Sequence, residues 1–298
     1  MTIDLSITDI VKGLLEKRFS AEELAKEFLN TAKKKDKDIH AFLNFTEDIA
    51  LNQAKEIDKK ISRGERLGVL AGVPCSVKDA ILVEGTPCTA GSKILEHYVA
   101  PYDATVVKKI KDAGAVIVGK TNMDEFGMGA STENSAFGPT KNPHDLTRVS
   151  GGSGGGSTAS VAAGECIIGL GEDTGGSIRL PASFCGVVGL KPTYGAVSRY
   201  GVIALASSLD QVGPVAKTVE DAEILFNVIR GKDELDSTSV DYTYKLRTKD
   251  YKPRGLRIGV PKEYFAEGLD PAVEKVVRDA IKKLEDAGAV TQEIELPH

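Results

Sequence analysis

The 298-residue chain has no tryptophan, three methionines, four cysteines and four histidines. Each shortage removes a class of function. The histidines, His40, His97, His144 and His298, are scattered, and the cysteines, Cys75, Cys88, Cys166 and Cys185, contain no C-x-x-C pair. No zinc pattern can be drawn from them. Dispersed free thiols suit a reducing compartment. No apolar run approaches the roughly 18 residues that a membrane span requires. Met1 to Ile10 lacks the basic start and apolar centre of a signal peptide. No long basic block exists either: the net charge is −5, and the longest charge run, Lys33 to Asp38, mixes both signs. That run reads as a solvated helix end, and no direct contact with nucleic acid is expected. The expectation is a soluble cytoplasmic protein without metal, cofactor or membrane contact.

What is present is an alternation of helix and strand signals. Ser20-Ala21-Glu22-Glu23 reads as a capping box, followed by Leu24, Phe28 and Leu29 at helical spacing. A second helix is expected from Asp48 to Ile61, ended by Arg63 to Arg66. Val73 to Val77 reads as a strand. Asp103-Ala104-Thr105 reads as the cap of a helix ending at Gly114, with Ala115 to Val118 as the next buried strand. Lys282 to Val290 nearly repeats Lys108 to Val116, which a reused helix–glycine–strand turn explains more simply than a duplicated domain. Residues 231–254 are polar and aperiodic, and read as a surface excursion. Gly255 to Val260 reads as a strand, and Asp270-Pro271 as the start of the last helix. The pattern predicts an α/β fold with a mixed central β-sheet and helices on both faces. One domain over 1–298 is expected: a helical cover (1–66), a core (67–230), the excursion (231–254) and a closing strand–helix–strand (255–298).

The most unusual stretch is Val149-Ser150-Gly151-Gly152-Ser153-Gly154-Gly155-Gly156-Ser157. As a flexible linker it would interrupt a compact unit, because Ser157 is placed to cap a helix through Ala163 and Ile167 to Leu170 follows as a strand. As a nucleotide loop it lacks the lysine that reaches the outer phosphates, although a glycine loop before a helix can hold an anion through its N–H groups. A third reading joins it to a second loop, Gly171 to Arg179, which contains Thr174-Gly175-Gly176-Ser177. Two glycines before a serine let successive N–H groups turn inward and form a nest for a developing oxyanion. Ser177 sits where a nucleophile would. None of the histidines has a carboxylate motif beside it, so nothing points to a Ser-His-Asp triad. Lysine is the other base open to serine. Lys78 follows the apolar Cys75-Ser76-Val77, and burial there would disfavour its charged form.

Together these segments resemble the amidase signature family. The resemblance rests on Gly151 to Ser157, on Asp173-Thr174-Gly175-Gly176-Ser177-Ile178-Arg179-Leu180-Pro181-Ala182, and on Gly72 to Asp79 around the lysine. Three flanks, Lys120 to Gly129, Lys191 to Gly201 and Ser207 to Pro214, resemble one branch in particular, the glutaminase subunits of tRNA-dependent amidotransferases. The resemblance implies roles. Ser177 would be the nucleophile, Lys78 the base, and Ser153, 24 residues before Ser177, the bridge between them. The bridging serine would follow a cis peptide bond, Gly152–Ser153. The N–H groups of Thr174, Gly175, Gly176 and Ser177 would form the oxyanion hole. The reaction implied is hydrolysis of a carboxamide to carboxylate and ammonia through an acyl-enzyme. The partners implied are a small amide substrate and either amidotransferase subunits or further copies of the chain. An alternative is an inactive or partner-dependent remnant of such a subunit.

Two departures from the family pattern stand out. Gly154 occupies a position where a second serine is common, so a hydrogen bond near the oxyanion loop would be missing. The chain also ends at Leu296-Pro297-His298, where members of the branch continue with a segment that grips glutamine. Two readings follow: a fragment of a longer subunit of that branch, or a naturally short amidase with an open pocket, for which broad activity on small or aromatic primary amides and poor selectivity for glutamine are expected.

Overall fold

The computed structural model describes residues 5–241 and 252–297. The chain divides into two compact units, residues 1–242 and 243–298.

The first unit opens with α1 (Ile7–Leu15), a helix absent from the sequence-based expectations. Its signal is a capping box: Ser6 accepts from the Asp9 N–H while the Asp9 carboxylate accepts from the Ser6 N–H. α2 (Ala21–Ile39) starts at the expected Ser20–Glu23 box and carries the charge run on its last turns. β1 (Phe42–Phe45) follows, then α3 (Glu47–Ser62), close to the expected span. β2 (Pro74–Lys78) is the lysine strand. α4 (Thr105–Asp112) and β3 (Val116–Thr121) are joined by Gly114 at φ +93°, a left-handed turn that only glycine adopts cheaply. Asp103 does not cap α4. Its carboxylate accepts instead from the Lys111 ammonium at 2.7 Å and from the Glu84 N–H at 2.8 Å. A small hairpin, β4 (Lys141–Asn142) and β5 (Asp145–Val149), leads into α5 (Gly155–Ala162). The remaining elements are β6 (Ile168–Asp173), α6 (Arg179–Cys185), β7 (Val188–Gly189), β8 (Gln211–Ala216) and α7 (Val219–Ile229).

The sheet has the order β1-β3-β2-β6-β8-β7. β3, β2 and β6 run parallel, while β1, β8 and β7 pair antiparallel at the flanks. The mixed sheet is the one the alternation predicts. β2, β3, β6 and β8 are buried at every residue, so both faces are covered. Burial on both faces explains why β2, β3 and the first half of β6 read as apolar runs rather than as alternation. The region expected to be only a helical cover also contributes an edge strand, β1, whose Asn44 and Phe45 pair with Lys120 and Gly119.

Within the excursion, residues 231–241 are tied down. The Asp233 carboxylate accepts from the hydroxyls of Thr105 and Ser198, both at 2.5 Å, and the Asp236 carboxylate accepts from the Arg199 N–H at 2.8 Å. Residues 242–251 of that segment lie outside the described residues.

The second unit is a strand–helix–strand: β9 (Arg257–Pro261), α8 (Pro271–Asp286) and β10 (Val290–Ile294), with the strands parallel. Asp270 caps α8 with Pro271 at its first turn, as expected. Gly288 has φ +98°, the counterpart of Gly114, and the near-repeat of sequence is thus the same helix–glycine–strand turn used twice.

Candidate active site

Parallel strands in α/β sheets gather their functional groups beyond their carboxyl ends. Here β2 ends on Lys78 and β6 ends on Asp173. Side by side in the middle of the sheet, they bring residues that are far apart in sequence to the carboxyl end of its parallel strands.

The Gly/Ser stretch between β5 and α5 packs against this end and is no linker. Ser150 to Val161 are buried throughout. The peptide bond between Gly152 and Ser153 is cis. A Cβ at Gly152 would meet Asp124 Oδ2 at 2.2 Å, and one at Gly156 would meet Ala41 O at 2.5 Å and Asn122 N at 2.6 Å. Glycine is required at these two places because neighbouring backbone and a buried carboxylate occupy the space of a side chain. The Ser153 carbonyl accepts from the Asp124 N–H at 3.2 Å, which fixes the loop from below. Ser157 does not cap α5. It lies inside the helix, shares a hydrogen bond with the Thr121 hydroxyl at 2.7 Å and donates to Leu170 O at 3.1 Å.

Lys78 and Ser153 meet: Nζ lies 2.9 Å from Ser153 Oγ, with both side chains fully buried. Ser177 is brought to the same place through backbone, because the Gly154 N–H donates to the Ser177 carbonyl at 3.1 Å. Among the described residues the hydroxyls of Ser153 and Ser177 do not hydrogen-bond to each other, and the Ser177 hydroxyl has no protein partner. A Cβ at Gly154 would come within 2.7 Å of Ser177 O, so the glycine there allows the two loops to touch.

The second loop is shorter than the sequence suggests, since Gly171, Glu172 and Asp173 belong to β6. The turn proper is Thr174 to Ile178. Asp173 organises it. Its carboxylate accepts from the Gly176 N–H at 2.9 Å, from the Ile178 N–H at 3.0 Å and from the Arg179 guanidinium at 2.9 and 3.0 Å. Burial alone would raise this carboxyl, but the Arg179 side chain and the Ile178 and Arg179 N–H groups outweigh it and hold it below the usual carboxylate range. Gly176 therefore differs from the expectation: its N–H already faces Asp173 and is not free for an oxyanion. Among the described residues the N–H groups of Thr174, Gly175 and Ser177 donate to nothing, and the space around Gly175 is open to 4 Å. The Thr174 hydroxyl donates to Asp210, whose carboxylate also takes the N–H groups of Leu205 and Ala206. Asp210 borders a pocket of about 260 Å³ that Arg199 and Tyr200 also line.

Sequence reasoning missed two charged contributors. Lys120, on β3, pairs with Asp79 at 2.8 Å, with neither side chain exposed. Glu172, on β6, places Oε2 3.3 Å from Lys78 Nζ, with side-chain exposures of 2% and 1%. The signal for Glu172 was its spacing: in a strand, residues 168, 170 and 172 share a face, and Ile168 and Leu170 are core. Among the described residues no cluster of histidine, cysteine, aspartate and glutamate is arranged to hold a metal. No described helix is long and apolar enough to cross a membrane.

A mixed sheet carrying a lysine, a serine after a cis peptide bond and a glycine-rich turn ending in serine defines the class, and the chain belongs to the Amidase family, whose model matches residues 23–298. Among individual proteins, it is 57% identical over 99% of its length to the glutamyl-tRNA(Gln) amidotransferase A-subunit of Carboxydothermus hydrogenoformans, and covers 61% of that relative. It also resembles the crystal structure of the corresponding protein from Thermotoga maritima, with a TM-score of 0.87 and 44% identity over 99% of this chain and 62% of that one. The native peptide amidase of Stenotrophomonas maltophilia gives a TM-score of 0.86 at 32% identity, again over 99% of this chain and 62% of that one. The chain thus spans about three-fifths of the length of the relatives it matches.

Proposed function

We propose that the chain is an amide hydrolase in which Ser177 is the nucleophile, Ser153 the proton bridge and Lys78 the base. The observation that carries the reading is the buried hydrogen bond of 2.9 Å between Lys78 Nζ and Ser153 Oγ, joined to Ser177 by the Gly154 N–H. In its amine form, Lys78 takes the Ser153 proton while Ser153 takes that of Ser177. The Ser153–Ser177 link closes as substrate binds, where catalytic hydrogen bonds commonly tighten. Ser177 Oγ bonds to the amide carbon, and the carbonyl oxygen becomes an oxyanion facing the N–H groups of Thr174, Gly175 and Ser177. In other enzymes one such donor is worth about 2.7–4 kcal/mol. The C–N bond breaks as the relay returns its proton to the leaving nitrogen, and ammonia departs. Water then attacks the ester and gives the carboxylate, with Ser177 reprotonated.

The test is ammonia release from a panel of primary amides that includes glutamine. Ser177→Ala and Lys78→Ala should each lower turnover by a factor of about 10² or more while leaving the fold intact. Wild-type rates in either variant would reject the assignment. Glutamine as the amide, and amidotransferase subunits as partners, are a finer reading supported by the names of the relatives. Preference for glutamine over the other amides supports it, and turnover of the others alone removes it.

A further inference from the structure

Nothing in the relay described above uses Glu172, yet it is the charged group nearest to Lys78. Its Oε2 lies 3.3 Å from Nζ, its main-chain carbonyl accepts from the same ammonium at 3.2 Å, and Oε1 is buried without a partner. With Ser153 Oγ, these acceptors take all three protons of an ammonium group. An amine has only two to give, and must turn its lone pair toward Ser153 to act as a base. The surroundings leave Glu172 dependent on Lys78. Asp173, next along β6, is balanced by Arg179. Asp210 is satisfied by the Thr174 hydroxyl and two N–H groups. On β2 and β3, Asp79 and Lys120 balance each other. Burial raises the Glu172 carboxyl above the usual carboxylate range, with the charges of Asp210 and Asp173 adding to it, and Lys78 is the group that pulls it back toward the charged form.

We propose that Glu172 is a positioning residue that sets the protonation state of Lys78: its carboxylate, held against the lysine in a site closed to water, keeps the proton on Nζ and so fixes the pH above which the relay runs. The proposal rests on the reading of Lys78 as the base. A carboxylate at contact distance favours the charged form of an amine, and its removal favours the neutral form. Glu172 would thus hold back the reaction at low pH, and a neutral residue in its place would widen the working range toward acid.

The experiment compares wild type with Glu172→Gln in two ways. The first is the pH profile of amide hydrolysis and of Ser177 labelling by a fluorophosphonate. The acid-side midpoint should move down by about one to three pH units in the variant. A midpoint that stays in place or moves up overturns the proposal, and so does a uniform loss of rate with an unmoved midpoint, which is the mark of a purely structural ion pair. The second readout needs no turnover. The ε-methylene carbons of lysine are followed by NMR across pH, with the Lys78 signal identified by its loss in Lys78→Arg. That signal should titrate at lower pH in Glu172→Gln, and an unchanged titration overturns the proposal. Glu172→Ser, smaller and also uncharged, carries the same expectation if the glutamine variant fails to fold. In wild type itself, the Lys78 signal and one glutamate carboxyl should respond to each other's titration steps, and independent titrations overturn the inference. A wild type that neither labels nor hydrolyses would sink the amidase reading, while the NMR titration would still decide the role of Glu172.

Discussion

Replacing Lys120 by methionine would keep most of the side chain's volume and remove its charge from beneath the site. The ammonium lies 2.8 Å from Asp79 Oδ1, and neither side chain is exposed. The other oxygen, Oδ2, accepts from the Thr89 N–H at 2.7 Å and from its hydroxyl at 2.5 Å. Those bonds survive the substitution, but they do not neutralise a carboxylate shut away from water. Breaking a buried pair from one side costs about 3–5 kcal/mol, because the remaining charge is uncompensated. A domain of this size loses roughly 2–4 °C of melting temperature per kcal/mol, so a fall of about 6–20 °C is expected. The assay is thermal or urea unfolding of Lys120→Met, of Asp79→Asn and of the double variant. The double variant should recover at least half of the loss, since no ion is then left alone. A single variant within about 1 kcal/mol of wild type, or a double variant no better than the singles, would show that the carboxylate finds water and that the pair is not a closed electrostatic unit. Asp79 directly follows Lys78, the last residue of β2, so Lys120→Met should also disturb activity beyond its effect on the folded fraction.

Gly156→Ala should destabilise the chain by about 1–3 kcal/mol, because its Cβ would sit 2.5 Å from the Ala41 carbonyl and 2.6 Å from Asn122 N; unfolding midpoints measure this. Glu165 is buried with both carboxyl oxygens unpartnered, and burial, with Asp36 nearby, pushes its pKa up to about 9. Because the folded value lies above the unfolded one, the protonated carboxyl stabilises the fold below the unfolded value, and that contribution fades as pH rises toward about 9. Glu165→Gln should therefore match wild type near pH 4 and exceed it near pH 8, by roughly 1.4 kcal/mol for every pH unit that separates the unfolded value from the assay pH; urea titrations at the two pH values decide. The four cysteines are all buried, and burial raises Cys88, Cys166 and Cys185 to about 11. A thiol reagent at pH 8 should leave the native protein unmodified and label four thiols after denaturation, and fast labelling of any one in the native state would contradict this packing.

What can be read from the sequence follows local signals. Ser20 with Glu23, Asp270 with Pro271, and Gly114 each fix a boundary by chemistry within one turn of chain, and each stands where it is expected. Lys78 has a local cue in the apolar Cys75-Ser76-Val77 before it, but its pairing with Ser153 is legible only because their flanking motifs resemble a known family, since nothing local relates residues 75 positions apart. Asp103, Ser157 and the Gly176 N–H have an obvious local role, as cap, cap and oxyanion donor, and each is claimed otherwise. Partners from other elements take Asp103 (Lys111 with Glu84) and Ser157 (Thr121 with Leu170), while the Gly176 N–H goes to Asp173, three residues back in the same turn. β8 escapes sequence reasoning for a related reason. Gln-Val-Gly-Pro-Val-Ala carries two residues that local propensity counts against a strand, and it is held in the sheet by its pairing with β6.

Glu172 joins these two kinds of information. A strand that stopped at Leu170 would leave the next residues in a polar loop, where a glutamate needs no explanation. Extending β6 through Asp173 changes its meaning, because every residue of that strand is buried, so Glu172 lies away from water beside the core residues Ile168 and Leu170. A carboxyl placed there must find a cation or remain protonated, and the lysine ending the neighbouring strand is the cation it meets. The same extension shortens the turn that follows and lets Asp173 take the Gly176 N–H, so the proposed oxyanion site has three N–H groups to draw on rather than four. The position of one strand end therefore governs both halves of the proposed chemistry: how readily the base gives up its proton, and how many donors await the oxyanion.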